Sequence, residues 1–219
     1  MSENKNLATT PRVEPVDPGA LREKLGSADD LATLGSSAFA HLTKQVDSLP
    51  QLQTFLRQYQ TQVLLPQEMN AVFQAWVHAQ RNEGRELIAL DRRLAVEPAL
   101  KPFAAASQRV GRNQLRKLRP LKDIRVAQKY DQAVRGGEAK GWHTLVYGLF
   151  LSAYSLPLRQ GLIHYGSQTM LGFIEAGARH LRLTEGTLRE LHDDSCLVLP
   201  DWTDRILKAA APEPLTLLK

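Results

Sequence analysis

Apolar residues recur along most of the chain at three- and four-residue spacing, which is the period of an amphipathic helix. The pattern is clear after Ser48 and again after Pro66, and both residues are typical of helix starts. No segment alternates polar and apolar residues long enough to predict a strand, and no Asn-Gly or Asp-Gly pair joins two β-rich runs. The sequence therefore predicts an all-α fold, a single-domain bundle of about ten short helices.

The second half of the chain shows where the core of this bundle is expected. From Trp142 to Leu156 nearly every residue is apolar, as in a helix buried on all sides. The next run, roughly Pro157 to Leu181, has one inward-facing apolar side, and Thr184 with Glu185 predicts the start of the last clear helix. The pattern after Cys196 is ambiguous. We therefore divide the chain into a flexible tail over 1–17, an all-helical domain over 18–195 and a C-terminal tail over 196–219.

Length and composition are consistent with one globular domain. The chain has 219 residues, of which 43% are hydrophobic, and this length can bury one substantial core. The longest nearly apolar run, Leu145 to Leu158, is too short to cross a bilayer. The start of the chain does not resemble a secretion signal. The single cysteine, Cys196, cannot form an intramolecular disulfide, which agrees with the cytoplasmic location that we expect.

The net charge of +5 is concentrated in one stretch of the chain. Between Arg109 and Arg125 seven basic residues stand against a single acidic one, Asp123, which gives this stretch a charge of +6. On a helical wheel the arginines fall within an arc of about 80°. We call these arginines the basic face: Arg109, Arg112, Arg116 and Arg119. The opposite side carries small and apolar residues: Phe103, Ser107, Val110, Gly111, Gln114, Leu115 and Leu118.

Three interpretations of the basic face remain open from the residues alone. A run of charges is often only a solvated helix surface. Gly111 and the alanines before it indicate that a neighbouring helix or chain approaches closely, because glycine otherwise weakens a helix by about 1 kcal/mol. The face is therefore also a candidate for binding a protein partner. Nucleic acid is the third interpretation, although no aromatic residues are interleaved with the arginines.

No catalytic or metal-binding motif stands out elsewhere. The histidines lie at 41, 78, 143, 164, 180 and 192, and their spacing does not match that of a zinc or nickel site. The cluster His192 to Cys196 has side chains that bind metals or attack carbonyls, but a solvated helix end is the simpler interpretation. The glycine-rich "RGGEAKG" lacks the order of a phosphate-binding loop and no strand precedes it.

Several short motifs occur in an order that is characteristic of one family. Near the start, "LREKLGSADDLATLGSSAFAHL" places Phe39 and His41 at an aromatic and a His/Tyr position. Next, "LIALDRRLAVEPALKPFAAASQRVGRNQL" matches two motifs through Asp91, Leu94, Ala95, Ser107, Gly111 and Leu115. The segment "WHTLVYGLF" supplies His143 and Gly148, and a later turn supplies Arg179, Leu183, Thr184, Glu185 and Gly186. Through these motifs the chain resembles the urease accessory protein family UreF over roughly Leu21 to Leu191, and it diverges from the family at both ends, most of all at the C-terminus.

The resemblance implies an all-α, non-catalytic maturation factor without a cofactor of its own. Members of the UreF family form dimers, bind UreD (also called UreH) and recruit the GTPase UreG, so that nickel reaches apo-urease. The family likeness favours a protein-binding role for the basic face, without nucleic acid and without a membrane. The expected partner-binding residues are Phe39, His41, Arg109, Gly111, Arg112, Arg116, Arg179 and Glu185.

Two other classes of function remain open. The first is a helical nucleic-acid-binding or regulatory protein that uses Arg109 to Arg119. The second is an enzyme that brings His192, Asp194 and Cys196 together with a perturbed thiol.

Overall fold

The computed structural model describes residues 46–118 and 123–209, and these residues form helices without any strand. A π-helical stretch, Gln60–Glu68, joins the first two α-helices, and a 3-10 turn, Pro98–Phe103, leads into the fourth. The all-α prediction is therefore confirmed. In chain order the α-helices are α1 Leu49–Tyr59, α2 Met69–Gln80, α3 Gly84–Val96, α4 Ala104–Leu118, α5 Arg125–Arg135, α6 His143–Ala153, α7 Leu158–Leu181, α8 Glu185–Cys196 and α9 Leu199–Ala209.

The centre of the molecule is α6, the helix that the sequence predicts to be apolar on all sides. Every residue from His143 to Leu151 is buried. Helix α6 packs most closely on α2, where a Cβ added to Gly148 would lie only 2.5 Å from the carbonyl oxygen of Val72. It also packs on α4, so the arginine-bearing helix is attached directly to the core.

The connection between α1 and α2 differs from the sequence prediction. The pattern indicates a helix that begins at Pro66, whereas the chain stays helical through this residue in the π stretch Gln60–Glu68. Proline has no backbone N–H and its ring crowds the carbonyl four residues earlier, so an α-helical turn cannot accommodate it without strain. A π turn, with hydrogen bonds to the fifth residue back, is a local alternative to breaking the helix.

The C-terminal helices form a layer on α7. The side chain of Thr184 accepts a hydrogen bond from the backbone N–H of Thr187, which confirms the predicted start of α8. The segment that the pattern left ambiguous contains α9, which packs on α7. An ion pair joins the two helices, with 2.7 Å between Arg159 Nε and Asp204 Oδ1. Helix α9 also contacts the π stretch, because Trp202 Nε1 donates to the carbonyl oxygen of Leu65 at 2.9 Å.

Some predictions concern residues outside the described part of the chain. They include the tail over 1–17, the early helix after Pro18, and the candidate residues Phe39, His41 and Arg119. Among the helices that are described, none combines the length and the apolar character needed to span a lipid bilayer.

Candidate functional site

Helix α4 presents the basic face to the outside, as the helical wheel predicts. The side chains of Arg109, Arg112 and Arg116 are exposed, whereas Val110 and Leu115 on the opposite side are buried. The helix Ala104–Leu118 contains four basic residues and no acidic residue. An exposed cationic surface on one side of a core-packed helix is the first element of the candidate site.

Local hydrogen bonds hold two of these arginines along the helix. Arg112 Nε donates to the carbonyl oxygen of Gln108 at 3.0 Å, and Arg116 Nη2 donates to Asn113 Oδ1 at 2.5 Å. The last turn of the helix carries Arg116 and Lys117, where positive charge interacts favourably with the helix dipole. These contacts occupy only part of each guanidinium group, which has five N–H donors.

The buried side of α4 is pressed against the backbone that begins α6. A Cβ added to Gly111 would lie 2.2 Å from the carbonyl oxygen of Gly141 and 2.6 Å from the nitrogen of His143. One turn earlier, Ser107 Oγ accepts a hydrogen bond from the backbone N–H of His143 at 3.2 Å. The close approach expected at Gly111 is therefore to another part of the same chain. Gly111 is buried beneath the basic face and is not part of its surface.

A buried carboxylate, that of Asp91 on α3, holds the loop that precedes α6. Asp91 is fully buried and accepts three hydrogen bonds, from Tyr130 Oη at 2.5 Å, Lys140 N at 2.6 Å and Gly141 N at 3.0 Å. A buried charge needs such compensation, because an unpaired one costs several kcal/mol. The "RGGEAKG" segment is thus a loop whose C-terminal end is bound to α3 through backbone groups.

The same loop brings a further basic residue near α4, one that its position in the sequence does not associate with the basic face. Gly141 has a φ of +77°, and a Cβ there would lie 2.8 Å from Arg112 Cγ, so the backbone at 141 lies against the Arg112 stem. The adjacent Lys140 is exposed. Its distance in sequence from α4 conceals this proximity, which depends on the hydrogen bonds of the loop to Asp91 and on the contacts of Gly141 with Gly111 and Arg112.

Two other candidates, Arg179 and Glu185, lie at the turn between α7 and α8. Both are exposed, and Glu185 forms an ion pair with Arg189 at 3.7 Å. The turn is closed by Arg182, which adopts a left-handed φ of 55°, and by a hydrogen bond from Leu183 N to the carbonyl oxygen of Ala178. Helix α4 packs mainly on α5 and α6, whereas this turn joins α7 and α8, so the described candidates belong to different elements of the fold.

The His192–Cys196 cluster is only partly assembled. His192 Nε2 lies 3.4 Å from Cys196 Sγ and 3.0 Å from Ser167 Oγ. The bond to Cys196 raises the pKa of His192. Burial alone would raise the pKa of Cys196, but hydrogen bonds with His192 and Ser167 lower it overall. Asp194 instead lines a groove between α1 and α8. Within the described residues, no three His, Cys, Asp or Glu side chains are placed to hold a metal ion.

Taken together, the fold and the candidate site define an all-α protein whose helical core presents a cationic helix surface. The UreF family model matches residues 46–187, more than half of the chain, and the chain belongs to the UreF family. This is a family of urease accessory proteins with a role in nickel insertion. A search of curated proteins found no match.

The structure accounts for part of the set of residues that carry the resemblance. Asp91, Ser107, Gly111, His143 and Gly148 all lie within the matched range, and all are buried where helices or loops meet. His143, for example, stacks on the ring of Tyr165 with 5.6 Å between centroids. These five residues position the helices, whereas Ala95, Arg179 and Glu185, which also carry the resemblance, are exposed.

Proposed function

We propose that this protein promotes nickel insertion into apo-urease as a non-catalytic scaffold that bridges UreD (UreH) and the GTPase UreG. The observation that carries the proposal is the UreF family match over residues 46–187. In this role the chain acts in the cytoplasm, contributes no reaction of its own and needs no cofactor. Its contribution is to hold partners in a defined relative orientation.

The geometry of α4 supports a partner-binding role for the basic face. Its arginines stand on a helix that is fixed to the core through Gly111 and Ser107, so the backbone that carries them is positioned before a partner arrives. Pre-organised groups lose less entropy on binding. A cationic surface speeds and orients the encounter with an acidic protein, and this effect weakens as salt screens the charges.

The remaining contacts are proposed from the family resemblance. Phe39, His41, Arg179 and Glu185 are assigned to partner or subunit contacts, and the working unit is a homodimer. Arg179 and Glu185 are exposed on a turn with a well-defined cap, which suits them to contact another protein. They lie on other helices than the basic face, which is consistent with a scaffold that contacts more than one partner.

The proposed function is tested with UreD and urease from the same organism. The purified chain is expected to co-elute with UreD in size-exclusion chromatography, and a strain lacking the gene is expected to accumulate urease without nickel. Nickel content is measured on the purified urease, and the gene supplied in trans is the control. Normal nickel content and activity of urease in the deletion strain would overturn the proposal.

A further inference from the structure

A groove with a volume of about 270 Å³ lies between α3 on one side and α2 with the end of the π stretch on the other. Its floor is apolar and includes the buried side chains of Leu90 and Leu94. Its walls are polar, and all of their side chains are at least partly exposed. The polar lining residues are Gln67, Asn70, Gln74, Arg93 and Glu97.

The chain places these polar residues on two facing walls. Gln67, Asn70 and Gln74 follow one another at three- and four-residue spacing, which keeps them on one side of a helical run. Arg93 lies in the last turn of α3 and Glu97 is its C-terminal cap, so their Cβ atoms are about 5–6 Å apart. One wall therefore carries amides, and the other carries a positive and a negative group one turn apart.

Hydrogen bonds within the protein hold the polar groups in place. Arg93 Nη2 donates to Gln74 Oε1, a bond that crosses from α3 to α2. Asn70 Nδ2 donates to the carbonyl oxygen of Pro66 at 2.8 Å, and Glu97 Oε1 accepts from the backbone N–H two residues later at 3.4 Å. Each bond uses only part of the hydrogen-bonding capacity of its side chain, since an amide has two N–H donors and a guanidinium has five.

The capacity that is left matches an extended polypeptide. A side-chain amide carries the same donor and acceptor groups as a peptide bond, so Asn70 and Gln74 are able to pair with a main chain. A guanidinium pairs through two parallel N–H bonds with a carboxylate, which suits Arg93 to an acidic side chain. The carboxylate of Glu97 repels a second acid nearby. The lining therefore favours a peptide with one acidic side chain over a ligand that is anionic throughout.

Two observations favour a protein segment over a small molecule. Sites for small molecules usually have volumes of about 300–1,000 Å³ and bury most of the ligand, whereas this groove is smaller and open. On either side of Glu97 in the chain, Val96 is 79% exposed and Pro98 is also exposed. A peptide that extends past Glu97 would cover these apolar side chains, and a ligand confined to the groove would not.

We propose that the groove between α2 and α3 binds an extended segment of a protein partner. An acidic side chain of this segment pairs with Arg93, its main-chain groups bond to Asn70 and Gln74, and its next apolar side chain covers Val96. This inference goes beyond the proposed function, because it concerns a surface of α2 and α3 and not the basic face of α4.

The test titrates the full chain with the blocked peptide acetyl-Ala-Glu-Leu-amide in ¹⁵N-correlated NMR spectra. The side-chain N–H signals of Asn70, Gln74 and Arg93 are identified from the signals that single substitutions remove, and they are expected to shift progressively. Arg93→Gln is expected to weaken binding about fivefold, the upper range for an exposed ion pair. Arg93→Lys should have an intermediate effect, because it keeps the charge and loses the paired N–H geometry.

A matched variant on the same helix controls for the loss of one positive charge. Arg85→Gln removes an exposed arginine of α3 that does not line the groove, and it should leave the affinity for the peptide unchanged. Equal losses in Arg85→Gln and Arg93→Gln would overturn the proposal. An absence of shifts at millimolar peptide would overturn it as well.

Two further titrations separate the other possible occupants. Free glutamate that binds as tightly as the blocked peptide would overturn the proposal, because the main-chain contacts would then add nothing. Signals of the groove that shift on dilution of the chain without peptide would also overturn it, because the occupant would then be a second copy.

Exchange of the charges gives a separate measurement. The unsubstituted chain is expected to prefer acetyl-Ala-Glu-Leu-amide to acetyl-Ala-Lys-Leu-amide, and Arg93→Glu is expected to reverse this preference. An Arg93→Glu variant that still prefers the acidic peptide would contradict the assigned pairing.

Discussion

At the scale of single residues, Gly111 is the tightest contact at the candidate site. A methyl group at this position would meet the carbonyl oxygen of Gly141, the nitrogen of His143 and the carbonyl carbon of Trp142, the farthest of them at 2.7 Å. All three are backbone atoms, which cannot rotate away as a flexible side chain can. The contact therefore fixes the distance between α4 and the start of α6.

Replacing Gly111 by alanine is expected to destabilise the protein. Alanine in place of glycine usually stabilises a helix by about 1 kcal/mol, but forcing an extra group into a close-packed contact costs about 1–3 kcal/mol and more when backbone must move. We expect the overpacking to prevail and the free energy of unfolding in urea to fall by about 2 kcal/mol or more.

Gly186 provides the matched control for this measurement. It lies in the first turn of α8, and the nearest atom to an added Cβ is Thr184 Oγ1 at 3.8 Å, an ordinary contact distance. Gly186→Ala should therefore leave stability unchanged or raise it slightly. If Gly111→Ala were as stable as Gly186→Ala, the close approach of α4 to the backbone at Gly141 would be wrong.

The sequence correctly predicts a close contact at Gly111, but it does not identify the segment of the chain that makes this contact. The small residues of α4 indicate a close neighbour, and the structure confirms one. The neighbour is the backbone after the "RGGEAKG" loop, which is held by Asp91, 49 residues before Lys140. A helical wheel contains no information about a contact across that separation. For the same reason Lys140 could not be assigned to the basic surface from its position in the sequence.

At the scale of helices, the π stretch is tied to the core through the buried carboxylate of Glu68. Glu68 Oε2 accepts hydrogen bonds from Tyr59 Oη on α1 at 2.8 Å and from Tyr165 Oη on α7 at 3.0 Å. Burial disfavours the ionised carboxylate and raises the pKa of Glu68 to about 6, although the two tyrosine hydrogen bonds act in the opposite direction. The end of the π stretch therefore contains a group that titrates near neutral pH.

This raised pKa predicts a pH dependence of stability. The folded state binds the Glu68 proton more tightly than the unfolded state. Protonation of Glu68 therefore adds to the free energy of unfolding below about pH 4.5, and this stabilisation is lost as pH rises through about 6. A rise in the pKa of Glu68 from 4.5 to about 6 corresponds to about 2 kcal/mol. Glu68→Gln lacks this titration, so its stability relative to the unsubstituted chain should increase by about 2 kcal/mol from acidic to alkaline pH.

The comparison is made by urea unfolding at several pH values between about 4 and 8. The exposed Glu86 on α3 serves as control, because Glu86→Gln removes a carboxylate without disturbing a buried cluster. A stability difference between Glu68→Gln and the unsubstituted chain that stays constant over this range would contradict the assignment of the buried titration to Glu68.

Most helices are predictable from the sequence, and the exceptions have physical causes. Amphipathic spacing and end signals indicate α1, α3, α5, α7 and the start of α8. The π stretch was not predicted, because a proline inside a helical pattern usually marks a helix start or break. The pattern after Cys196 is ambiguous, although it contains helical spacing. The residues of α9 that lie inward share this spacing: Leu199, Trp202, Thr203 and Ile206. That spacing was the available signal.

At the scale of the whole molecule, the uneven distribution of charge predicts a salt-sensitive interaction. Reversing the charge of the described part of the basic face, with Arg109→Glu, Arg112→Glu and Arg116→Glu, should weaken binding to an acidic partner of the urease maturation complex. Binding of the unsubstituted chain should weaken as ionic strength rises, with a much shallower dependence in the variant. Titration calorimetry or surface plasmon resonance with the purified partner measures both effects.

A variant with the same change in net charge separates the local surface from the overall charge. Arg57→Glu, Arg85→Glu and Lys208→Glu reverse three exposed cations on other helices, α1, α3 and α9. This control should retain most of the affinity. Equal losses in the two variants would show that net charge alone is responsible and would argue against the basic face as a binding surface.

The close contact between Gly111 and the backbone that begins α6 also limits how this part of the protein can evolve. The atoms closest to Gly111 belong to the main chain, and no substitution elsewhere can make a carbonyl oxygen smaller. A lineage that lost this glycine would find few compensating second-site changes. The exposed ends of the arginines are not constrained by this packing, so they can change while the framework that carries them stays the same.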